Sequence, residues 1–244
     1  MTTRRFSSAA EHAQWLDRRD AELRAPDGWL TLTGLFWLDD GEHSVGSAPE
    51  CAIQLSAGPA KLGVLSVEST HAQWQPVTGD SFDLQSDSAG APTVISCEAL
   101  SFFLIQRDDR LALRLRDRNA ATRVHFRGLK CFDFNPAWQI NAAWDGERAS
   151  FVMGGNEFYL RPQVVNADKP LQFVIADQTS GRQTYGGGRF LFAEPAENGH
   201  LLLDFNRAIN PPCVFTPFAV CPLPPAENRL PFAIDAGEFV YAHP

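Results

Sequence analysis

Residues 173–192, FVIADQTSGRQTYGGGRFLF, place polar residues and glycines between two apolar runs that are typical of β-strands. The pattern continues in residues 201–238, LLLDFNRAINPPCVFTPFAVCPLPPAENRLPFAIDAGE, where prolines separate short apolar runs. Polar groups at this density beside core strands either satisfy one another in a buried network or bind a ligand. We call residues 173–238 the polar segment, and its apolar runs predict β structure.

Outward from the polar segment, the rest of the chain from Trp29 also favours short strands, with turn signals recurring about every 8–12 residues. Residues 111–117, LALRLRD, alternate cleanly, so we expect the leucines to face a core and Arg114 and Arg116 to face solvent. We therefore predict an all-β protein, mainly antiparallel, with a β-sandwich or barrel-like architecture.

One N-terminal α-helix is predicted before the strands. Ser8 and Glu11 match the capping box, and Pro26 ends the helix after about four turns, near Arg24. We expect two β halves, residues 1–130 with the helix and residues 131–244 with the polar segment. No Gly/Ser/Pro-rich linker marks that boundary, so a single domain is also compatible with the sequence.

Composition excludes several classes of function. The 244 residues carry a net charge of −8, which argues against a nucleic-acid partner, because such proteins need a basic surface. The N-terminus has no apolar signal region, and no apolar run approaches the length of a membrane span, so we expect no membrane partner. Five scattered cysteines are typical of reduced thiols. These features predict a soluble cytoplasmic protein, and its oligomeric state stays open.

Familiar catalytic and metal motifs are absent from the sequence. There is no Gly-x-Ser-x-Gly elbow, phosphate loop, dinucleotide fingerprint or His-Glu-x-x-His. The six histidines stand apart, without the close spacing that lets one strand or helix hold a metal: His12, His43, His71, His125, His200 and His243. We therefore expect no metal site, and the sequence identifies no cofactor.

Our leading hypothesis is an enzyme-like pocket in the C-terminal half that binds a small anionic molecule, with hydrolysis as the suggested reaction. The candidate catalytic residues are Cys213, Asp204 and Tyr185. The candidate ligand-binding residues are Asp177, Ser180, Arg189, Asn206, Asn210, Asn228 and Glu238. The alternative is a non-catalytic small-molecule-binding or structural protein, in which these polar residues only hold the Pro-rich loop against the sheet.

Two features of the polar segment allow more than one interpretation. Arg189 follows three glycines and is either the clamp of an anion site or the partner of Asp177 or Asp204. Cys213 and Cys221 are eight positions apart, and they are either buried small hydrophobes or take a metal, thiolate or disulfide role.

The polar segment contains long motifs, which are Asp177-x-Thr179-Ser180-Gly181-x-x-Thr184-Tyr185-x-x-Gly188-Arg189, Asp204-Phe205-Asn206-x-Ala208-x-Asn210-Pro211-Pro212-Cys213, Cys221-Pro222-Leu223-Pro224-Pro225-x-x-Asn228-Arg229-Leu230 and Ala236-Gly237-Glu238. These motifs resemble domain-of-unknown-function family 1684 of bacteria and archaea. The opening Gly28-Trp29-Leu30 and Gly34-Leu35-x-Trp37-Leu38 is similar too, so the resemblance spans nearly the whole chain. It implies no activity and transfers no catalytic residue.

Overall fold

A computed structural model describes residues 6–165 and 169–242 of the chain, and His243 lies outside them. The chain forms two compact units. One comprises Arg24–His125, and the other joins Met1–Leu23 to Phe126–Pro244. The N-terminal helix thus lies in the same unit as the polar segment. The division into domains at residues 130 and 131 stays a prediction.

The unit of residues 24–125 contains two mainly antiparallel sheets. The first has the order β1-β9-β8-β7 and the second the order β3-β2-β4-β5-β6, with β2 and β3 parallel. The strands are β1 (Leu32–Trp37), β2 (Gly41–Gly46), β3 (Ile53–Gln54), β4 (Gly63–Glu68), β5 (His71–Pro76), β6 (Phe82–Asp83), β7 (Val94–Cys97), β8 (Leu100–Arg107) and β9 (Arg110–Asp117). A one-turn helix, α2 (Ala121–Val124), follows them.

The core of this unit lies between its two sheets. Leu111, Leu113 and Leu115 of β9 are buried in it, as the alternation predicts. The ring of Trp74 on β5 meets that of Phe102 on β8 edge-on at 5.3 Å between centroids. The expectation of solvated arginines is wrong for Arg114, because its side chain is 4% exposed and lies over the Trp29 ring.

The other unit combines one long helix with six strands among its described residues. The elements are α1 (Ala9–Arg24), β10 (Gln139–Trp144), β11 (Ala149–Met153), β12 (Asn156–Leu160), β13 (Leu171–Ile175), β14 (Arg189–Ala193) and β15 (His200–Asp204). Strands in the order β12-β11-β10-β15 form an antiparallel sheet, and β13 and β14 form a hairpin. Short 3₁₀ helices follow β15 at Phe205–Arg207, Pro212–Val214 and Ala226–Asn228.

The core of this unit lies between the four-stranded sheet and the β13–β14 hairpin. Phe151 and Leu203 of the sheet and Phe173 and Leu191 of the hairpin are among its buried members. These apolar runs therefore fix the position of the polar segment, because its polar residues directly follow β13 and β15.

The capping box predicted for α1 is confirmed. The Glu11 N–H donates to Ser8 Oγ at 3.2 Å, and the Ser8 N–H donates to Glu11 Oε2 at 2.8 Å. The helix ends at Arg24, where the sequence predicts its end.

The predicted fold class is confirmed as mainly antiparallel β-structure in sandwich-like sheets with one N-terminal helix. Within the described ranges, every helix is too short or too polar to cross a membrane.

Candidate functional site

The polar residues predicted from the sequence separate into three contact networks, all in the unit that contains α1. The first is a buried ion-pair network around Asp177 and Arg189. The second, which we call the helix-side cluster, joins Asp204, Asn206, Asn210 and Glu238 to residues near α1. The third is a thiol–phenol cluster of Tyr185, Cys213 and Cys221. Asn228 lies apart from all three.

The buried ion-pair network centres on the Arg189 guanidinium, which is 0% exposed. Its Nη2 donates to Asp177 Oδ2 at 2.8 Å and to the Ile234 carbonyl at 3.3 Å, and its Nη1 donates to the Ala236 carbonyl. Burial lowers the pKa of Arg189, and the Asp177 carboxylate counteracts this shift. Of the alternatives left open by the sequence, the structure therefore contains the ion pair with Asp177. An anion-binding role for Arg189 stays a prediction.

Asp177 also organises the turn that follows β13. Its Oδ1 accepts hydrogen bonds from the Thr179 N–H at 2.8 Å and from Thr179 Oγ1 at 2.6 Å. Ser180 Oγ accepts from the Asp177 N–H at 3.1 Å, which closes the same turn. The hydroxyl and carboxylate that the sequence places in a ligand site thus satisfy local backbone groups.

Packing and backbone conformation explain why residue 188 is a glycine. Its φ is +92°, and a Cβ there would lie 2.7 Å from both the Ile175 carbonyl oxygen and the Pro224 ring. Only glycine allows this backbone conformation together with such a close approach.

Asn228 is fully buried and links three backbone groups. Its Nδ2 donates to the carbonyls of Val174 at 2.9 Å and Arg161 at 2.8 Å, and its Oδ1 accepts from the Arg161 N–H at 2.7 Å. The Ala226–Asn228 turn is thereby attached to β13, which accounts for a buried amide without a ligand.

In the helix-side cluster, Asp204 is 5% exposed and lies at the end of β15. Its Oδ1 accepts from the Asn206 N–H at 3.2 Å and from Asn206 Nδ2 at 3.0 Å, so Asp204 caps the following 3₁₀ turn. Its Oδ2 accepts from Gln139 Nε2 at 3.2 Å and lies 3.4 Å from Arg207 Nε. Asn206 also bonds the backbone N–H and carbonyl of Asn135.

Glu238 and Asn210 contact α1 through Arg19. The Arg19 Nε donates to Glu238 Oε1 at 2.9 Å, with side-chain exposures of 9% and 0%. Glu238 Oε2 accepts from the Asn210 N–H at 2.6 Å, and Asn210 Nδ2 donates to the Phe239 carbonyl at 2.7 Å. These bonds join the first helix to the last described stretch of the chain.

His12 of α1 is a buried member of the helix-side cluster. It is 4% exposed and stacks on Trp15 at 5.6 Å between ring centroids. Burial lowers the pKa of His12; Asp204 opposes the shift and Arg207 adds to it. The imidazole is therefore held neutral near neutral pH, and its Nδ1 has no hydrogen-bond partner among the described residues.

A cavity of about 570 Å³ lies between α1 and the strands β14 and β15. Its volume is in the range of small-molecule sites. Apolar walls come from Trp15, Phe192, Leu202 and Ile209. The cavity thus offers apolar contact within the helix-side cluster.

Charged side chains line the same cavity. Arg19 and Arg207 supply positive charge, and Glu22, Glu194 and Asp204 supply negative charge. Arg207 is 33% exposed at its side chain, and its Nη2 donates to Ser7 Oγ at 2.8 Å. Among the predicted site residues, Asp204 lines this cavity, whereas Arg189 has no exposed surface.

A second cavity of about 430 Å³ lies on α1 between Arg19 and the segment from Gly128 to Phe134. Glu238 and His12 line it, together with Cys131. Burial raises the pKa of the Cys131 thiol to about 12, and Glu238 adds to the shift. This thiol stays protonated near neutral pH, so it is a poor nucleophile.

The thiol–phenol cluster joins two of the candidate catalytic residues. Cys213 Sγ donates to Tyr185 Oη at 3.7 Å, and the Cys213 N–H donates to Cys221 Sγ at 3.3 Å. The pKa of Tyr185 is raised, first by the hydrogen bond with Cys213 and then by burial. Asp204 belongs to the helix-side cluster instead, so the three candidate catalytic residues do not share one contact network.

Sequence reasoning missed the residues of the cavity that come from outside the polar segment. They are Ser7, Trp15, Arg19 and Glu22. It also missed His12 and Gln139, which are both buried beside Asp204. Arg19 and His12 lie on the face of α1 that is buried, but the helix is polar on most faces, so no clear apolar stripe identified that face.

No group of three or more His, Cys, Asp or Glu side chains with metal-binding geometry occurs within residues 6–165 and 169–242. The helix-side cluster is instead built from ion pairs and amide hydrogen bonds. These can position a polar ligand by charge and by hydrogen bonding.

Comparisons with known proteins agree with the motifs of the polar segment. Residues 148–239 match the family model described as Protein of unknown function (DUF1684). A solution NMR structure of an uncharacterized protein of Haloarcula marismortui is similar at 30% identity, over 48% of this chain and 78% of that chain, with a TM-score of 0.41. No curated protein matches the chain. The similarity to the DUF1684 family of proteins of unknown function therefore rests on residues 148–239.

Proposed function

We propose that the cavity of about 570 Å³ beside α1 binds a small molecule that carries one anionic group and an apolar part. The observation that carries this proposal is the Arg207 guanidinium, which is 33% exposed and lines a cavity with apolar walls. Guanidinium groups bind carboxylate or phosphate oxygens through two parallel N–H bonds. Arg207 therefore takes the anion-binding part that the sequence assigns to Arg189.

Arg207 keeps donors available for a ligand. Its Nη2 reaches Ser7 Oγ, and its Nε faces Asp204 at 3.4 Å, whereas its Nη1 has no hydrogen-bond partner within the described residues. The Arg207 guanidinium also lies 5.8 Å from the Trp15 ring centroid, which limits the positions it can take. A ligand anion would meet a guanidinium that is already oriented.

The carboxylates of the cavity restrict the ligand further. Asp204 is buried and bonded to Gln139, and the side chains of Glu22 and Glu194 are exposed. Water and salt screen exposed charges, so these two carboxylates weaken the binding of an anion at Arg207 less than buried carboxylates would. The same carboxylates favour a ligand whose far end is positive, such as a zwitterion.

Four of the predicted site residues favour a structural role for their part of the polar segment. Asp177, Ser180, Arg189 and Asn228 make short contacts with one another or with backbone groups. We therefore propose ligand binding at the helix-side cluster and a structural role for these four residues. Hydrolysis by Cys213, a cytoplasmic location and the lack of a nucleic-acid partner stay predictions.

Ligand-observed NMR with hexanoate, and with 1-hexanol as the neutral control, tests the proposal. At about 0.5 kcal/mol per non-hydrogen atom, hexanoate gains about 4 kcal/mol, which corresponds to a Kd of about 1 mM. We expect hexanoate to show saturation transfer with the wild-type protein and to lose it with Arg207→Gln.

The matched control is Arg161→Gln, which removes a surface arginine that is 52% exposed and paired with Glu227. This variant should bind hexanoate like the wild type. Equal binding of hexanoate by Arg207→Gln and the wild type, or no binding by the wild type, would contradict the proposal.

A further inference from the structure

The thiol–phenol cluster brings together two cysteines that the proposed ligand cavity does not use. Cys213 and Cys221 are both half-buried and are not joined in a disulfide. The Cys213 N–H donates to Cys221 Sγ at 3.3 Å, so the sulfur of one cysteine touches the backbone of the other. The two cysteines lie at the two ends of a loop that contains Pro217.

This contact limits how far apart the two residues can be. The 3.3 Å bond leads from Cys221 Sγ to the Cys213 nitrogen, one covalent bond from the Cys213 Cα. Adding the covalent lengths at both ends gives an upper limit of about 8 Å between the two Cα atoms, whereas disulfides form without backbone movement up to about 7 Å. Joining the two sulfurs therefore requires side-chain rotation and, at the upper end of this distance, a shift of the backbone.

The surroundings distinguish the two thiols. Cys221 Sγ accepts a backbone N–H bond, and such bonds favour a thiolate. Cys213 Sγ instead donates to Tyr185 Oη at 3.7 Å. Pro211 and Pro212 before Cys213 and Pro222 after Cys221 restrict the backbone on both sides.

We propose that Cys213 and Cys221 form a reversible disulfide when the protein meets a small-molecule disulfide such as oxidised glutathione. The Cys221 thiolate attacks one sulfur of the reagent, forming a mixed disulfide and releasing one reagent thiolate. The Cys213 thiol then loses its proton to solvent and attacks Cys221 Sγ, which releases the second thiolate. The protein gives up two electrons and two protons, and the reagent is reduced to two thiols.

The other cysteines provide internal comparisons. Cys131 is held protonated by burial, so it should stay unmodified. Cys51 Sγ donates to the Ala60 carbonyl at 3.4 Å and has no cysteine among its hydrogen-bond partners. Cys51 can therefore form a mixed disulfide with the reagent but no internal link of this kind.

The experiment treats the reduced full chain with oxidised glutathione and measures intact mass and disulfide-linked peptides. We expect a single linked pair, Cys213 with Cys221, which removes the mass of two hydrogen atoms, and peptide mapping separates it from any glutathione added to Cys51. Dithiothreitol should restore the original mass. In Cys213→Ser, Cys221 should instead retain one glutathione, because no second thiol is there to displace it.

The matched control is Cys51→Ser, which should still form the Cys213–Cys221 link. The proposal is overturned if the folded wild-type chain gains glutathione on both Cys213 and Cys221 without a link between them. It is also overturned if neither residue reacts. Peptide mapping of the wild-type chain decides between these results even if a variant fails to fold, and none of them depends on ligand binding at Arg207.

Discussion

Two arginine–aspartate pairs in the same unit have opposite surroundings. The Arg189–Asp177 pair joins Nη2 to Oδ2 at 2.8 Å, with both side chains 0% exposed. The Arg207–Asp204 pair joins Nε to Oδ2 at 3.4 Å, with side-chain exposures of 33% and 7%. In sequence the two arginines look alike, since each follows an acidic residue that ends an apolar run. Only folding separates a structural arginine from one that can reach a ligand.

The difference in exposure changes what each pair can do. In the interior, both charges have left water, so each depends on the other and on nearby backbone groups. At the cavity wall, water and salt already compensate part of the Arg207 charge. A ligand anion can take the place of that water, whereas no solvent reaches Arg189 to be replaced.

The largest expected effect is from Asp177→Ala, which leaves the Arg189 guanidinium buried without its carboxylate. Breaking a buried pair in this way costs about 3–5 kcal/mol. Urea unfolding of the wild type and the variant measures the loss. Part of the stability should return in the double variant Asp177→Ala/Arg189→Met, because the uncompensated charge is then removed as well.

The control for Asp177→Ala is Glu227→Ala, which breaks the exposed Arg161–Glu227 pair in the same unit. Exposed pairs contribute about 0–1 kcal/mol, so the control should change the free energy of unfolding little. Similar losses in the two variants would remove the distinction between interior and surface pairs in this protein.

A smaller effect is expected from the pH dependence of His12, which lies on α1 within the electrostatic reach of Asp204 and Arg207. Its pKa in the folded state is lowered, first by burial, whereas an unfolded histidine titrates near about 6.5. As the pH falls below about 6.5, the unfolded state takes up a proton that the folded state does not, so stability decreases until the folded pKa is passed.

Comparison with His12→Gln isolates this contribution from that of the carboxylates. The stability advantage of the wild type over the variant should be larger at pH 7 than at pH 5, as measured by urea unfolding. The variant His200→Gln, which removes an exposed histidine, is the control for His12→Gln. An advantage that grows toward pH 5 would show that folding favours the charged imidazole.

The smallest expected effect is from Arg207→Gln on stability. The Arg207–Asp204 pair is partly exposed, so its loss should cost about 0–1 kcal/mol. Thermal or urea unfolding measures this change beside the binding experiment. A loss as large as that of Asp177→Ala would show that Arg207 has a structural role like that of Arg189. It would contradict our proposal that Arg207 is available to a ligand.

Local patterns in the sequence predict much of the fold. The capping box at Ser8 and Glu11 defines the start of α1 because it depends only on neighbouring residues. The alternation in residues 111–117 predicts which side of β9 is apolar. Both patterns express local geometry, which sequence spacing records directly.

The site depends on contacts that spacing does not record. Burial decides that Arg189 is paired in the interior and that Arg114 is covered, and burial is set by distant parts of the chain. Arg19 and Glu238 meet across 219 positions, so no window of sequence could join them. The polar segment could therefore be identified as important, but its division into three networks could not be predicted.

The contact between Arg19 and Glu238 has a consequence for synthesis on the ribosome. The helix α1 leaves the ribosome well before the carboxylate that Arg19 contacts, because Glu238 follows Arg19 by 219 positions. Residues 24–125, which form a compact unit of their own, are complete long before that point. Domains commonly fold as they emerge. The nascent chain should therefore fold residues 24–125 before α1 can pair with Glu238.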